Sequence, residues 1–476
     1  TASLAWTWHH PAGRHGTVVN GGPLIDERKN VYLTHINGVV KLSPDGRTLW
    51  TYDAPKHFSN TASINEDSVY ITDTSGVVIA LSTESGEERW RSRVAETGGG
   101  DISVVEAHSG IVLSTAEAGP LGFLGGAKIV VALNASSGDE LWRFSPSSQL
   151  WNFMPMFTDN GTFVFQDQIG GVYHLGLADG RLLWQAGYKA GWMDTWCDGG
   201  TVLGPNGVVY AVSAAGPMEA LRPDLPGDLR AYRLQDGELL WSHNFTMPPN
   251  SWPVVGRLRE GARLSVVLPV GAQGGPPRIG HVIFGALGGG VNGIQLGTVL
   301  GLLVGAWRAV CRKGRCRQCC GTCCLCVLCA LLLGLPVGAG WAYYSTGRMD
   351  INWKAQVWAF DAETGAVQWR WDPPTWVRHD VMGDAELFLP RAFRMVQPAC
   401  IPNPWASATL DANGTIYTGY MNGKIYAIRD PNGDGRIEDE EVEELDAGAA
   451  FSHPGVAMAP GMMAISSCDT LFVFKS

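Results

Sequence analysis

The chain has 476 residues and a formal charge of −10, is only 17% charged, and holds 61 glycines and 19 tryptophans. The basic cluster of Arg308, Arg312, Lys313, Arg315 and Arg317 contributes +5 and leaves −15 on the rest; a surface that acidic repels phosphate backbones and argues against nucleic-acid binding. So many glycines and tryptophans imply many turns around a tryptophan-rich core, and Cys197, Cys400 and Cys468, the three cysteines outside 311–329, are too few for a disulfide framework.

The chain begins at Thr1 with neither Met nor an apolar leader, which reads as a processed form. Its first alternating run, "SLAWTWHH", is a strand without a partner nearby in sequence. One pattern then recurs. "VKLSPDGRTLW", "ALSTESGEERW", "ALNASSGDELW", "HLGLADGRLLW" and "AYRLQDGELLW" each place a glycine four residues before a tryptophan, at Trp50, Trp90, Trp142, Trp184 and Trp241. A sixth copy, "AFDAETGAVQW", ends at Trp369 after an interval of 128 residues, against 40 to 57 between the others. Around one copy, "GTFVFQDQIGGVYHLGLADGRLLWQAG" reads as three strands joined by tight Asp/Asn-Gly turns, and "NFMPMF" adds a fourth before them. Units of four antiparallel strands at this period are the signature of propeller blades.

The long interval holds residues 272–350, an expected insertion that divides the propeller into 1–271 and 351–476. It interrupts "RLSVVLPV" and "QVWAFDAE", which read as strands B and C of the sixth blade. Val282–Trp307 and Gln318–Gly347 are free of charge, and each exceeds the ~20 residues that cross a bilayer as a helix. Trp307, Trp341, Tyr343 and Tyr344 fall where interfacial aromatics sit. The expectation is a transmembrane helical hairpin; two buried core helices are the alternative, which propellers rarely hold. Gly285, Gly289, Gly293, Gly297, Gly301 and Gly305 form a stripe on the first span that permits close helix contact, with the second span or with a partner subunit's helix. Asn292 and Gln295 are expected to bond to a neighbouring helix.

The turn between the spans carries the basic cluster and eight of the eleven cysteines. Positive loops stay on the cytoplasmic or stromal side, which puts the propeller on the lumenal or extracellular side. Cysteines on the cytoplasmic side of the membrane stay reduced, against a disulfide knot. S-acylation of Cys311, Cys316, Cys319, Cys320, Cys323 and Cys324 is the chemistry this setting suits best, with plain small-residue packing as the alternative. Metal ligation is disfavoured by the lack of histidines or separated knuckles. A hairpin at a B–C turn points the B–C and D–A loops toward the membrane. The enlarged loops "AEAGPLGFLGGAK" and "AAGPMEALRPDLPGD" and the connection from Asp372 to Asn403 share that face, and Leu121, Phe123 and Leu124 are expected to touch lipid or protein. The bilayer and membrane protein subunits are therefore the expected partners.

The seventh unit, "TIYTGYMNGKIYAIRDPNGDG", keeps Ala427 and Gly433 in register but loses the tryptophan. In its place "DPNGDGRIEDEE" fits a twelve-residue EF-hand loop: Asp430, Asn432 and Asp434 at positions one, three and five, Gly435 at six, the Arg436 carbonyl at seven, Glu438 at nine and bidentate Glu441 at twelve. Calcium is the expected ligand, bracing structure in place of lost packing; an acidic solvated turn is the alternative. "GVAMAPGMMAISSCDTLFVFKS" supplies three last strands, which "SLAWTWHH" completes. This gives an all-β, eight-bladed propeller closed by both chain ends, without an exposed edge.

The A-x-D-x-x-x-G-x-x-x-W repeat resembles the tryptophan-docking motif of PQQ-like (quinoprotein alcohol dehydrogenase-like) β-propellers over nearly the whole chain outside 272–350. The resemblance implies that each indole docks on the neighbouring blade. The family includes quinone-dependent alcohol dehydrogenases and also non-catalytic scaffolds such as the bacterial outer-membrane assembly lipoprotein. In the dehydrogenases the quinone sits in the central channel between a tryptophan and a vicinal disulfide, with calcium and a catalytic aspartate. Here adjacent cysteines occur only at Cys319–Cys320 and Cys323–Cys324, in the membrane turn, and Asp194 and His453 form no recognisable acid–base pair. PQQ is therefore not expected and no catalytic residue is assigned. The expected role is a non-catalytic scaffold or accessory subunit of a larger membrane complex, such as an energy-converting organelle complex. A quinone-dependent oxidoreductase and a cell-surface ligand-binding propeller are the alternatives. Sequons at Asn134, Asn160, Asn244 and Asn413 would accept glycans on a secretory route.

Overall fold

The computed structural model describes residues 3–476 apart from 20, 59, 97–103, 119–125, 188–194, 198–199, 216–224, 250, 273, 276, 293–316, 348–351, 398–399, 401–403 and 452–453. Short alternating runs ended by glycine turns become strands, and these pair in chain order into eight antiparallel sheets, the blades of the propeller. The middle strands of each blade are covered on both faces by the neighbouring blades. Val31–His35 and Gly38–Leu42 of blade one are buried throughout, whereas the outer strand Glu88–Arg93 of blade two faces solvent along most of its length. The core is accordingly a ring of inter-blade layers: Tyr32, Val39 and Trp50 of blade one pack on Val69, Ile71, Ile79 and Leu81 of blade two.

Both chain ends meet in blade eight. Ser3–His9 pairs antiparallel with Thr470–Lys475, from Ser3 opposite Lys475 to His9 opposite Thr470, outside Met462–Ser466 and Ala457–Ala459. The orphan strand thus closes the ring. In blade five the innermost strand is broken into Thr195–Trp196 and Val202–Leu203, both paired with Val208–Ala215.

The repeated glycine and tryptophan form one joint. At Gly86, where φ is +73°, an added Cβ would stand 2.6 Å from the Trp50 indole, and the Trp50 Nε1–H donates to the Thr83 carbonyl at 3.0 Å. The same pairing recurs for Trp90 on Gly138, Trp142 on Gly180, Trp184 on Gly237 and Trp241 on Gly365, with indole N–H bonds to Ala135, Leu177, Leu234 and Ala362. Glycine is required because the turn needs a positive φ and the ring needs the space of a missing side chain. Trp6 of the closing strand belongs to the set: it covers Gly46 and donates to the Pro44 carbonyl at 2.8 Å. Trp6 carries no repeat signal of its own because the glycine it covers, Gly46, lies far along the chain.

Two neighbouring strands of blade six flank the long interval between the fifth and sixth repeats. Leu264–Gly271 and Ala355–Asp361 pair as strands B and C, from Ser265 opposite Asp361 to Gly271 opposite Ala355. Between them stand helix α1 over 278–292 and helix α2 (Arg317–Thr346). Gly285 and Gly289 lie against Gly338 of α2: an added Cβ would come within 2.7 Å of the Gly338 carbonyl oxygen and 2.8 Å of its Cα, respectively. The side chains of 317–326 and 329 are outside the described set, and among the described residues no helix is long and apolar enough to cross a membrane. The transmembrane hairpin expected from sequence is therefore not established by this structure; Gly293, Gly297, Gly301, Gly305, Cys311 and Cys316 lie outside the described residues, as do the side chains of Cys319, Cys320, Cys323 and Cys324.

Candidate functional site

The acidic loop sits at an irregular seam of the ring, between blades six and seven. Strand Lys424–Ile428 of blade seven runs into it, and a short 3-10 turn, Asp439–Glu441, leads out to the outer strand Val442–Asp446. Trp369 of blade six should dock here, yet its Nε1 is buried without a hydrogen-bond partner. Gly433 meets the Arg259 guanidinium instead of an indole. What remains between the blades is a cavity of about 230 Å³ lined by Arg259, Ser265, Gln368, Trp369, Asp430 and Asp434, among others.

Within the loop, side-chain oxygens are turned on their own backbone. Asp430 Oδ1 accepts from the Gly433 N–H at 2.6 Å, Asn432 Oδ1 from Asp434 at 2.9 Å and Asp434 Oδ1 from Arg436 at 2.9 Å. Glu441 closes a capping box with Glu438, taking its N–H at 3.0 Å. Asp430 is buried, and with Asp434 it faces the cavity. Glu438 and Glu441 do not line that cavity, and among the described residues no group of three or more His, Cys, Asp or Glu side chains gathers closely enough to hold a metal ion. The donor set is all oxygen, as calcium requires, but Glu441 would have to leave its capping box to join it.

The second cluster is on the B–C/D–A face, where the connection from blade six to blade seven folds over the propeller. It begins beside the hairpin root, where the Gly275 N–H donates to the His379 carbonyl at 3.1 Å. It then bonds to blade seven through Met382 N–H to the Met421 carbonyl at 2.9 Å, and helix α3 (Asp384–Phe393) follows. Asp384 and Arg391, both 1% exposed, form an ion pair at 3.3 Å, and the Cys400 N–H donates to both Asp384 oxygens at 2.9 and 3.0 Å. Cys400 is disulfide-bonded to Cys468 in the B–C turn of blade eight. Next to it Arg14 holds Asp469 at 2.8 Å. The connection is thus a strap over blade seven, the blade with no tryptophan joint on either side. The bridge has no signature in the sequence, since two cysteines 68 residues apart give no spacing signal.

One carboxyl stands out on an innermost strand. Glu106 of blade three is pushed up to about 7 by burial, against the smaller opposing effect of a 3.2 Å hydrogen bond from Ser63. His35, near His10 and Trp8 on the strap side, is held down to about 4 by burial and by the neighbouring His10. The quinone pocket implied by the family resemblance finds no match in the described disulfide, which joins distant residues where that pocket stacks a vicinal pair. Asp194, His453, Leu121, Phe123 and Leu124 lie outside the described residues.

Comparison with known proteins points the same way for the fold. A family profile described as outer membrane protein assembly factor BamB matches residues 35–191 and 98–268. A polyvinylalcohol dehydrogenase of a Pseudomonas species is 26% identical over 161 residues, 30% of this chain and 25% of its own length, so the match spans only a quarter of that relative. Among solved structures, BamB from Moraxella catarrhalis is similar over 100% of both chains at 11% identity, with a TM-score of 0.58. Quinohemoprotein alcohol dehydrogenase from Comamonas testosteroni is similar over 100% of this chain and 76% of its own, at 12% identity and a TM-score of 0.56.

Proposed function

We propose that this chain, an eight-bladed β-propeller of PQQ-like repeats, is a membrane-anchored scaffold or accessory subunit of a larger membrane complex, held on the lumenal or extracellular side by its hairpin. The observation that carries this reading is the surface of the hairpin. Its two helices meet through glycines and turn Phe284, Leu287, Val291, Leu332, Leu333, Val337 and Trp341 outward, all exposed. At about 25 cal/mol per Å² such a surface is costly in water and is at home in lipid or against other helices. The Cys400–Cys468 disulfide supports an oxidising compartment for the propeller, opposite the cytoplasmic or stromal side assigned to the basic cysteine turn. The calcium loop belongs to the same reading as a brace for blade seven. Protease added to sealed native vesicles tests the topology: it should reach either the propeller or residues 308–317, and cleavage of both from one side overturns the hairpin.

A second reading is an oxidoreductase that uses a quinone. It is favoured by the dehydrogenase likeness and by Glu106, an inner-strand carboxyl raised into the range of a general base. Isolation of the particle in mild detergent separates the two. Co-purified membrane subunits without a quinone chromophore support the scaffold; a bound quinone and alcohol-dependent dye reduction lost in Glu106→Gln support the enzyme.

A further inference from the structure

We propose that the end of helix α3, with Leu389, Phe393 and Met395, is a second membrane contact of this protein, seated at the boundary between headgroups and acyl chains beside the hairpin. The proposal rests on the reading that the hairpin is inserted.

Position comes first. The strap that carries α3 starts at the hairpin root, at the Gly275–His379 hydrogen bond of 3.1 Å, and lies on the face from which the hairpin leaves blade six. Trp341, Tyr343 and Tyr344 are exposed at that same end of α2, at the level where aromatic residues meet headgroups.

Exposure and rigidity come second. Phe393 is 85% and Met395 90% exposed, and Leu389 is exposed on the turn before them. These side chains are not on a loose end. The buried Asp384–Arg391 pair, the Cys400 bonds to Asp384 and the disulfide to Cys468 fix the base of the helix. Arg394 Nη1 donates to the Ala12 carbonyl at 3.2 Å on the far side. Met395 closes the helix at φ +55°, with its N–H on Ala392 and the Val396 N–H on the Arg391 carbonyl, each at 3.0 Å. That left-handed position suits glycine or asparagine, and a long thioether there costs roughly 1 kcal/mol. A fold that fixes two apolar side chains outward, one of them in a strained conformation, has placed them for a contact outside water.

Charge decides the occupant. The propeller is acidic, yet Arg394 stands between Phe393 and Met395 at the α3 tip, and Arg278 lies at the hairpin root, where it donates to the Tyr343 carbonyl at 3.0 Å. Glu386, the exposed acid of α3, is held by Arg378 at 3.3 Å. Apolar side chains on either side of Arg394, with Arg278 at the hairpin root, match an anionic lipid surface, as interfacial helices do.

The test places a benzophenone amino acid by codon suppression at 393, 395, 332 on the hairpin, and 141 on the outer strand of blade three. The full chain is reconstituted in phosphatidylcholine–phosphatidylglycerol vesicles, irradiated and analysed by mass spectrometry. Lipid adducts at 332, 393 and 395 but not 141 are expected. Adducts at 332 without any at 393 or 395 overturn the α3 contact and leave the hairpin standing. Absence of adducts at 332 overturns the membrane reading and this proposal with it. In native membranes, a protein adduct at 393 in place of lipid also overturns it, in favour of a partner subunit.

Discussion

Trp369 and Trp50 occupy equivalent places in the repeat, but only Trp50 has a carbonyl for its indole N–H. Replacing Trp50 by Phe removes a hydrogen bond worth about 1 kcal/mol and part of a buried ring. Trp369→Phe removes a buried donor that has no partner, and leaving such a donor in place costs about 1–3 kcal/mol. Urea unfolding should therefore show Trp50→Phe less stable than Trp369→Phe by at least about 1 kcal/mol, and equal losses would show that an acceptor reaches Trp369. Glu106 gives a pH signature. Its folded pKa, about 7, lies above the ordinary ~4.3 of the unfolded chain. The folded state therefore holds the proton longer, and stability falls as pH rises from about 4.5 to about 7. Melting curves across that window should slope downward for the native protein and lie flatter for Glu106→Gln; parallel curves would exclude Glu106 as the source.

At the scale of elements, the acidic loop and the hairpin differ in how far their chemistry could be read. The twelve-residue pattern from Asp430 to Glu441 was visible as a string. The capping box that holds Glu441 on Glu438 was not, because S/T/D/E at one position and Glu three later also encodes a helix start. If calcium draws Glu441 out of that box, Asp430→Ala with Glu441→Ala should lower the melting temperature by several degrees in calcium buffer and by much less in chelator. A loss of the same size in both would mean that the carboxylates act through the turn alone. In the hairpin the glycine stripe was legible, and its partner was not. Gly285 and Gly289 face Gly338 of the second helix of the same insertion.

Across the whole molecule, six blade interfaces carry the tryptophan joint, and the two that flank blade seven do not. The strap crosses that blade and ends in a disulfide to blade eight. A cross-link closing 68 residues of chain is worth about 2–4 kcal/mol, comparable to the joints it stands in for. Cys400→Ser with Cys468→Ser should lower the unfolding free energy by that much, read as a lower denaturant midpoint at an unchanged slope, and limited proteolysis of the reduced protein should cut first within 378–400. An unchanged midpoint would show that the strap holds without its bridge.

The repeat by itself determined the blade count, the position of the insertion between strands B and C of blade six, and closure by the N-terminal strand. Each of these depends on periodicity, which local sequence carries. Tertiary structure alone decided that Trp6 completes the set of joints, that Trp369 lacks one, that Cys400 meets Cys468, and that α3 projects its apolar tip on the hairpin's face. Those are encounters between residues 38 and 68 positions apart or outcomes of burial. A linear pattern does not encode them, because they depend on which blades the closed ring makes neighbours.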